Sequence, residues 1–130
     1  MSANPDLQEI ETEIRVRYAE TDAMGFLHHS NYLTYFEVGR TDLFRAQGGD
    51  YRAMEESGLF FVVVKAEVKF HQPARYDDVL VIKTKIARVT AAKLEHDYEV
   101  RRGEELLTSG HTVLACLNAE GTVQRIPELP

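Results

Sequence analysis

The sequence predicts an α+β fold in which a curved antiparallel sheet of five to six strands wraps round one long central helix. Two observations lead to this prediction. One alternating segment precedes a single long amphipathic segment, and at least four alternating segments follow it. The later segments are joined by short turns, which connect antiparallel neighbours. One helix can cover only one face of such a sheet, and we therefore expect the sheet to curve round it.

The length of the chain limits it to one such unit. Its 130 residues correspond to one domain. The 44% of hydrophobic and 28% of charged residues are ordinary for a globular protein and exclude a disordered chain, a collagen-like chain and a coiled coil. We assign residues 1–10, which are polar and contain Pro5, to a flexible N-terminal arm, and residues 11–130 to a single domain.

The first strand is predicted to begin at Glu11. From there Ile14, Val16 and Tyr18 fall on one face, and charged residues occupy most of the positions between them. The alternation stops at ETDAMG, a segment with several turn-forming residues. This turn separates the first strand from the central helix.

The central helix is predicted over residues 31–49. Large apolar residues and one glycine recur at the spacing of one helix face: Tyr32, Phe36, Gly39 and Leu43. Ser30 or Asn31 can cap the start of this helix, and Gly48-Gly49 can end it. Because glycine inside a helix costs about 1 kcal/mol, Gly39 predicts that the helix approaches the neighbouring sheet closely.

A short second helix at Tyr51–Ser57 and the remaining strands follow. In the second strand, LFFVVVKAEVKF, strict alternation would place five residues on one face: Val62, Val64, Ala66, Val68 and Phe70. The later strands are predicted at Val79–Val89, Lys93–Arg101, Leu106–Leu117 and Thr122–Ile126.

Charge and cysteine content narrow the partners and the compartment. The net charge of −6 argues against nucleic acid as the main partner. No apolar run approaches the roughly 20 residues needed to span a bilayer, and the polar N-terminus does not resemble a signal peptide. The single cysteine, Cys116, favours a reducing, cytoplasmic location. It lies in the apolar run VLACL, so we expect a core residue and not a nucleophile.

The densest group of polar residues lies between the first strand and the central helix. Its members are Tyr18, Glu20, Thr21, Asp22, His28, His29, Ser30 and Asn31. Backbone N–H groups in the first turn of a helix carry partial positive charge and can hold an anion or a developing oxyanion. Asp22, placed before such a helix, can serve as a base or as a nucleophile. The alternative is a capped helix with ordinary turn residues and solvated histidines.

The segment RYAETDAMGFLHHSNYLTYFEVGR resembles the signature of the 4-hydroxybenzoyl-CoA thioesterase family of hotdog-fold proteins. Within that family, the nearest resemblance is to the small bacterial acyl-CoA thioesterases associated with the Tol-Pal system. The shared pattern runs through Tyr18, Asp22, Gly25, His29 and Tyr32. The later segment FHQPARYDDVLVIKTKI is also similar to the family's entry into its third strand. The resemblance implies a hotdog fold from Arg15 to about Pro127.

The resemblance also implies roles for individual residues of the loop. Asp22 corresponds to the catalytic carboxylate, acting as a nucleophile or as a general base toward water. His29 stands at the helix start, where the backbone N–H polarises the thioester carbonyl. Tyr18 corresponds to a residue that helps position the carboxylate or the acyl group. Relatives often carry Asp at the position of Glu20, and we expect little loss from that departure.

The implied substrate-binding residues lie in the loop and on the second strand. They are Gly25, His28, Ser30, Phe61, Val63 and Lys65. Gly25 would permit close backbone approach in the turn. His28 stands where relatives often have Tyr or Phe, which would change the shape of the acyl pocket. The segment 60–64 would line that pocket, either in the same chain or from a partner subunit.

The implied function is hydrolysis of acyl-CoA thioesters to a free acid and coenzyme A, with no metal or other cofactor. His71, His96 and His111 are dispersed and lack the spacing of metal ligands. The expected partners are the acyl-CoA substrate, or an acyl-carrier-protein thioester, and further copies of the chain in a dimer or tetramer. Two alternatives stay open: a hotdog-fold acyl-thioester dehydratase or isomerase, and a non-catalytic acyl-thioester binding module.

Overall fold

The computed structural model describes residues 3–128 and contains one main helix, one short helix and six strands. In chain order the elements are β1 (Glu9–Arg15), α1 (Ser30–Ala46), α2 (Tyr51–Glu56), β2 (Leu59–Phe70), β3 (Val79–Val89), β4 (Leu94–Arg102), β5 (Glu105–Asn118) and β6 (Val123–Gln124). A short 3₁₀ turn, Tyr18–Glu20, lies between β1 and α1. Among the described residues, no helix combines the length and the apolar character needed to cross a membrane.

All strands join one antiparallel sheet in the order β1-β3-β4-β5-β2, and β6 pairs with β5 beyond the end of β4. Strands β1 and β2 therefore form the two edges. The predicted α+β class and the sheet wrapped round a central helix are confirmed. Because all strands belong to one sheet, α1 has to cover only one sheet face. A single buried stripe on α1 is sufficient for that.

The core forms where α1 lies across β3, β4 and β5. Phe36 is fully buried, and its ring stacks on Tyr98 of β4 with 4.2 Å between the ring centroids. Gly39 faces β3, where a Cβ atom would overlap the hydroxyl of buried Thr84. The predicted close approach at Gly39 is therefore confirmed, because no larger residue fits between helix and sheet.

The first strand differs from its prediction at both ends. It begins at Glu9, and Ile10 pairs with Thr84, so two residues of the predicted arm belong to the sheet. It ends at Arg15, and the expectation that Tyr18 continues the strand is wrong. The chain leaves the sheet there because the Arg17 N–H donates to the side chain of Glu20 at 2.8 Å and closes the 3₁₀ turn.

The second strand contains a β-bulge that the alternation did not predict. Val63 pairs with Leu114 and Lys65 with Val113, which leaves Val64 as the extra residue. The bulge shifts the faces: Phe61 packs against Phe44 of α1 before it, and Val68 packs against the core after it. The prediction that Val62 and Val64 share the face of Val68 is therefore wrong.

Candidate active site

Asp22 lies in a tight loop that holds one of its two carboxylate oxygens. Its Oδ1 accepts hydrogen bonds from the backbone N–H groups of Met24 (2.9 Å) and Phe26 (3.1 Å). The Asp22 N–H donates to the Phe26 carbonyl at 2.8 Å and closes the same loop. Its Oδ2 accepts no hydrogen bond from any residue of the described range 3–128. One oxygen therefore orients the side chain, while the other is available for chemistry.

Gly25 supplies the left-handed backbone that this loop requires. Its φ is +78°, a value that residues with a Cβ rarely adopt. A Cβ atom at this position would meet no atom within 4 Å among residues 3–128, apart from its two neighbours in the chain. The positive φ therefore accounts for the glycine by itself, and no described residue makes the close backbone approach that the sequence predicts in this turn.

The start of α1 presents a backbone donor beside this loop. His29 is the N-cap residue, and the prediction of Ser30 or Asn31 as the cap is wrong. The Ser30 N–H donates to Nδ1 of His28, and the Asn31 N–H donates to the His28 carbonyl. The His29 N–H makes no hydrogen bond within the part of the chain that the structure describes. An unpaired N–H at the positive end of a helix is suited to stabilising an oxyanion.

Asp22 and His29 line one cavity of about 310 Å³. The remaining wall is largely apolar and consists of Phe26, Leu27, Tyr32, Phe70, His71, Gln72 and Pro73. The rings of Tyr32 and Phe70 meet edge to face, with 5.3 Å between their centroids. The cavity thus combines a free carboxylate oxygen and a helix start with a surface that can bind an apolar group.

Glu20 supports the loop in a way that sequence reasoning missed. Its buried carboxylate accepts hydrogen bonds from the Tyr35 hydroxyl (2.7 Å) and the Arg17 N–H. Its carbonyl accepts from the His28 N–H and from the Asn31 side chain. Burial alone would raise the pKa of the Glu20 carboxyl, but these donors to the carboxylate outweigh burial and lower that pKa. Glu20 therefore connects the loop to the first turns of α1.

We expect Glu20→Ala to lower the free energy of unfolding by about 3 kcal/mol, because it removes a charged acceptor and leaves the buried Tyr35 hydroxyl unpaired. Urea denaturation measures this change. Glu13→Ala is the matched control, since Glu13 is exposed and makes no side-chain hydrogen bond among the described residues. Equal stability of the two variants would show that Glu20 does not support the loop.

The other predicted site residues lie outside the cavity in the single chain. Tyr18 is 77% exposed, and its ring contacts Tyr76. The His28 ring lies beside that of His29, with 4.1 Å between the ring centroids and a tilt of 30° between the planes, and it contacts the Ser30 hydroxyl at 2.8 Å.

The candidates on β2 do not meet Asp22 either. Phe61 and Val63 face the middle and far end of α1, and Lys65 forms an exposed ion pair with Glu67 at 2.9 Å. Of the predicted site residues, only Asp22 and His29 line the cavity of about 310 Å³.

Three residues predicted to be structural or solvated have clear surroundings. Cys116 is fully buried in β5, as expected for a core residue. His71 contacts the Ser109 hydroxyl at 3.0 Å. His111 contacts Asp97 at 2.6 Å, and this carboxylate raises the pKa of the imidazole.

Comparison with known proteins identifies the family. Residues 24–109 match the family model described as the thioesterase superfamily. The acyl-CoA thioester hydrolase YbgC of Escherichia coli is 31% identical over 106 residues, which cover 81% of this chain and 79% of YbgC. YneP of Bacillus subtilis is 40% identical over 88 residues, which cover 68% of this chain and 64% of YneP. The DHNA-CoA thioesterase structure from Staphylococcus aureus is 34% identical with a TM-score of 0.88, covering 90% of this chain and 80% of that one.

The chain belongs to the thioesterase superfamily and has the hotdog fold of that superfamily. The resemblance read from the loop segment is thereby confirmed at the level of the family.

Proposed function

We propose that this protein hydrolyses acyl-CoA thioesters to a free acid and coenzyme A, with Asp22 as the catalytic carboxylate. The observation that carries the proposal is that Asp22 and His29 line the same cavity, the first with an Oδ2 and the second with an N–H that form no hydrogen bond among the described residues. The printed name of YbgC, an acyl-CoA thioester hydrolase, supports the class of substrate. Release of free thiol from acyl-CoA by the purified protein tests the proposal.

The two groups are sufficient for the chemistry of a thioester. In the general-base route, Oδ2 of Asp22 takes a proton from water, and the water oxygen bonds to the carbonyl carbon. The carbonyl oxygen becomes an oxyanion and accepts a hydrogen bond from the His29 N–H. The C–S bond then breaks as the carbonyl re-forms. Thiols have pKa values near 8.5, so the thiolate leaves without a strong acid and is protonated afterwards.

In the nucleophilic route, Oδ2 bonds to the carbonyl carbon directly, the thiolate leaves, and water hydrolyses the resulting anhydride. A single turnover in ¹⁸O-labelled water, followed by mass spectrometry of the peptide that carries Asp22, separates the two routes. Label in the Asp22 carboxylate supports the anhydride. A peptide without label, with the labelled oxygen in the free acid, is expected for the general base and also for an anhydride that water opens at the acyl carbon.

The acyl group would occupy the apolar part of the cavity. Phe26, Tyr32 and Phe70 provide a surface for an alkyl chain or an aromatic ring. These residues come from the loop, from α1 and from the end of β2, so the acyl carbon next to sulfur would lie close to Asp22 and His29.

Self-association would complete this site. In one chain, Val63, Val64 and Phe70 are about half exposed on the edge strand β2, which invites pairing with a second copy. We propose that a dimer or tetramer forms through this edge, and that exposed residues of β2 such as Lys65 reach a site from the partner subunit. Sedimentation equilibrium should give a mass of two or four chains, and a monomer at all concentrations would contradict the proposal.

Arg75 is the basic side chain best placed to bind a phosphate of coenzyme A. Its guanidinium lies 4.7 Å from the ring centroid of Phe26, a cavity residue. Arg75 forms no ion pair with a carboxylate among the described residues. Arg102, by contrast, is held by Asp78 at 2.7 Å and Glu105 at 2.6 Å.

We expect Arg75→Ala to raise the KM for acyl-CoA about 3- to 10-fold, because one charge-assisted contact to phosphate is lost. The kcat should be unchanged. The same acyl group on N-acetylcysteamine, which has no phosphate, should show no change in kcat/KM. Arg101→Ala is the matched control, since Arg101 is paired with Glu99 on β4. Equal losses on both thioesters would contradict the role of Arg75.

A further inference from the structure

A second and larger cavity, of about 500 Å³, lies at the other end of α1. It shares no lining residue with the cavity of Asp22 and His29. Its main side chains are Arg40, Phe44, Tyr51, Phe61, Leu94 and His96. Because α1 has 17 residues at about 1.5 Å per residue, the two ends of this helix are about 25 Å apart.

Three aromatic rings form one apolar wall of this cavity. Phe44 and Tyr51 lie with 4.5 Å between their ring centroids, and Phe61 lies about 6 Å from both, at 5.9 Å from Tyr51 and 6.2 Å from Phe44. They come from α1, α2 and β2. A surface built from three separate elements is fixed by the fold and can bind an alkyl chain or an aryl ring.

Arg40 places a buried positive charge in the same cavity. It is only 9% exposed. A guanidinium has five N–H donors, but the contacts of Arg40 are long: 3.5 Å to the Tyr98 hydroxyl and 3.7 Å to Glu37. The Glu37 side chain is itself 69% exposed, so solvent screens its charge. It therefore offsets little of the buried positive charge of Arg40. Buried charges are normally paired closely, and Arg40 is not paired closely within residues 3–128.

Two further polar groups border the cavity. His96 is 3% exposed, and its Nδ1 is buried without a hydrogen-bond partner in the described chain. Burial and the nearby Arg40 charge lower the pKa of His96 to about 4, so the imidazole is neutral near pH 7. Burial raises the pKa of Tyr51 to about 12, so its hydroxyl keeps its proton. The Tyr51 hydroxyl also makes no hydrogen bond among the described residues.

We propose that this cavity is a second ligand site, which binds a small monocarboxylate with an alkyl or aryl body. The carboxylate accepts hydrogen bonds from Arg40 and from the Tyr51 hydroxyl, and the apolar body lies against the rings of Phe44 and Phe61. Arg125 and Glu128 also line the cavity, but both are exposed and carry opposite charges, so Arg40 is the buried cation of this cavity. One buried cation beside apolar rings matches a singly charged amphiphile better than a phosphate dianion. This inference does not depend on the proposed hydrolysis.

Methyl NMR of the intact protein tests this site, with octanoate as the probe. Of the five isoleucines, Ile86 and Ile126 line the cavity, while Ile10 and Ile14 lie in β1 outside it. Octanoate should shift the methyl signals of Ile86 and Ile126 in a saturable way and leave those of Ile10 and Ile14 in place. 1-Octanol, which has the same chain without the charge, should bind at least about tenfold more weakly.

Two variants test the polar groups that would bind the carboxylate separately from the apolar walls that would bind the chain. Arg40→Gln should abolish the preference for octanoate over octanol, and Tyr51→Phe should weaken octanoate binding while it keeps the ring. Asp22→Asn is the control at the other cavity and should leave the titration of Ile86 and Ile126 unchanged. If Arg40→Gln does not fold, the comparison of octanoate with 1-octanol on the wild-type protein and the titration of Tyr51→Phe still test the proposal. Absence of saturable shifts, or equal binding of octanol and octanoate, would overturn the proposal.

Discussion

Asp22→Asn should lower the kcat/KM for acyl-CoA hydrolysis by at least about 10²-fold, the loss typical of a positioned catalytic group. An asparagine retains an Oδ1 that can accept the hydrogen bonds now donated by Met24 and Phe26. The substitution therefore removes the free Oδ2 and leaves the loop in place. The amide nitrogen that replaces Oδ2 can neither take a proton from water nor attack a carbonyl.

The controls for this prediction separate chemistry from folding. The urea midpoint of Asp22→Asn should match that of the wild type, because the loop hydrogen bonds persist. Asp22→Ala removes both carboxylate oxygens and should lose stability in addition to activity. Glu13→Gln, on the exposed face of β1, should change neither property. Full activity of Asp22→Asn would exclude Asp22 as the catalytic carboxylate.

Gly39→Leu should lower the free energy of unfolding by at least about 3 kcal/mol or prevent folding. Replacing glycine in a helix normally stabilises it by up to about 1 kcal/mol. Here the new side chain would meet Thr84 and Ile82 of β3, both fully buried. The sheet cannot move away without disturbing the core, so overpacking outweighs helix propensity.

A double-mutant cycle identifies the contact responsible. Gly39→Ala alone should destabilise the protein, because its Cβ overlaps the Thr84 hydroxyl. That hydroxyl has no hydrogen-bond partner among the described residues, so Thr84→Ala removes the obstacle without breaking a bond. The double variant should recover about 1 kcal/mol relative to Gly39→Ala. Thr34→Ala, at an exposed position of α1, is the control and should be neutral or slightly stabilising.

Much of the fold could be predicted from periodicity. The bounds of β3 are as predicted, and the stripe through Tyr32, Phe36, Gly39 and Leu43 is the buried face of α1. These predictions succeed because side-chain polarity follows burial: residues that face the core are mostly apolar, and residues that face water are mostly polar. The same argument failed at the end of β1, where the contacts of Glu20 with Tyr35, 15 residues away, decide the turn.

The bulge in β2 could not be predicted from the alternation of apolar and polar residues, for a different reason. The run Val62-Val63-Val64 is apolar at every position, so polarity gives no information about which residue is the extra one. The pairing with β5 sets the register of β2, and the register shifts between Val63 and Lys65. As a result, Phe61 and Val63 point to the helix side, although alternation counted from Phe70 would turn them away.

The site was predicted only in part. The resemblance of their loop predicts Asp22 and His29 as site residues, and the structure places both on the wall of one cavity. Their catalytic roles stay a prediction. The role of Glu20 could not be predicted from the sequence, because it depends on burial and on the contact with Tyr35. The buried position of Arg40 does have a sequence signal. Phe36, Arg40, Leu43 and Gln47 follow the same helical spacing as the core stripe, and all four are buried.

The measurement that tests the central claim most directly is thiol release by the wild-type protein from a panel of acyl-CoAs. The panel would contain short, medium and long alkyl chains and aryl thioesters, with the matching acyl-carrier-protein thioesters beside them. We predict hydrolysis of at least one acyl-CoA, with free acid and thiol formed in equal amounts. No thiol release from any member of the panel, by protein that is folded, would contradict the proposal that this chain is an acyl-CoA thioesterase.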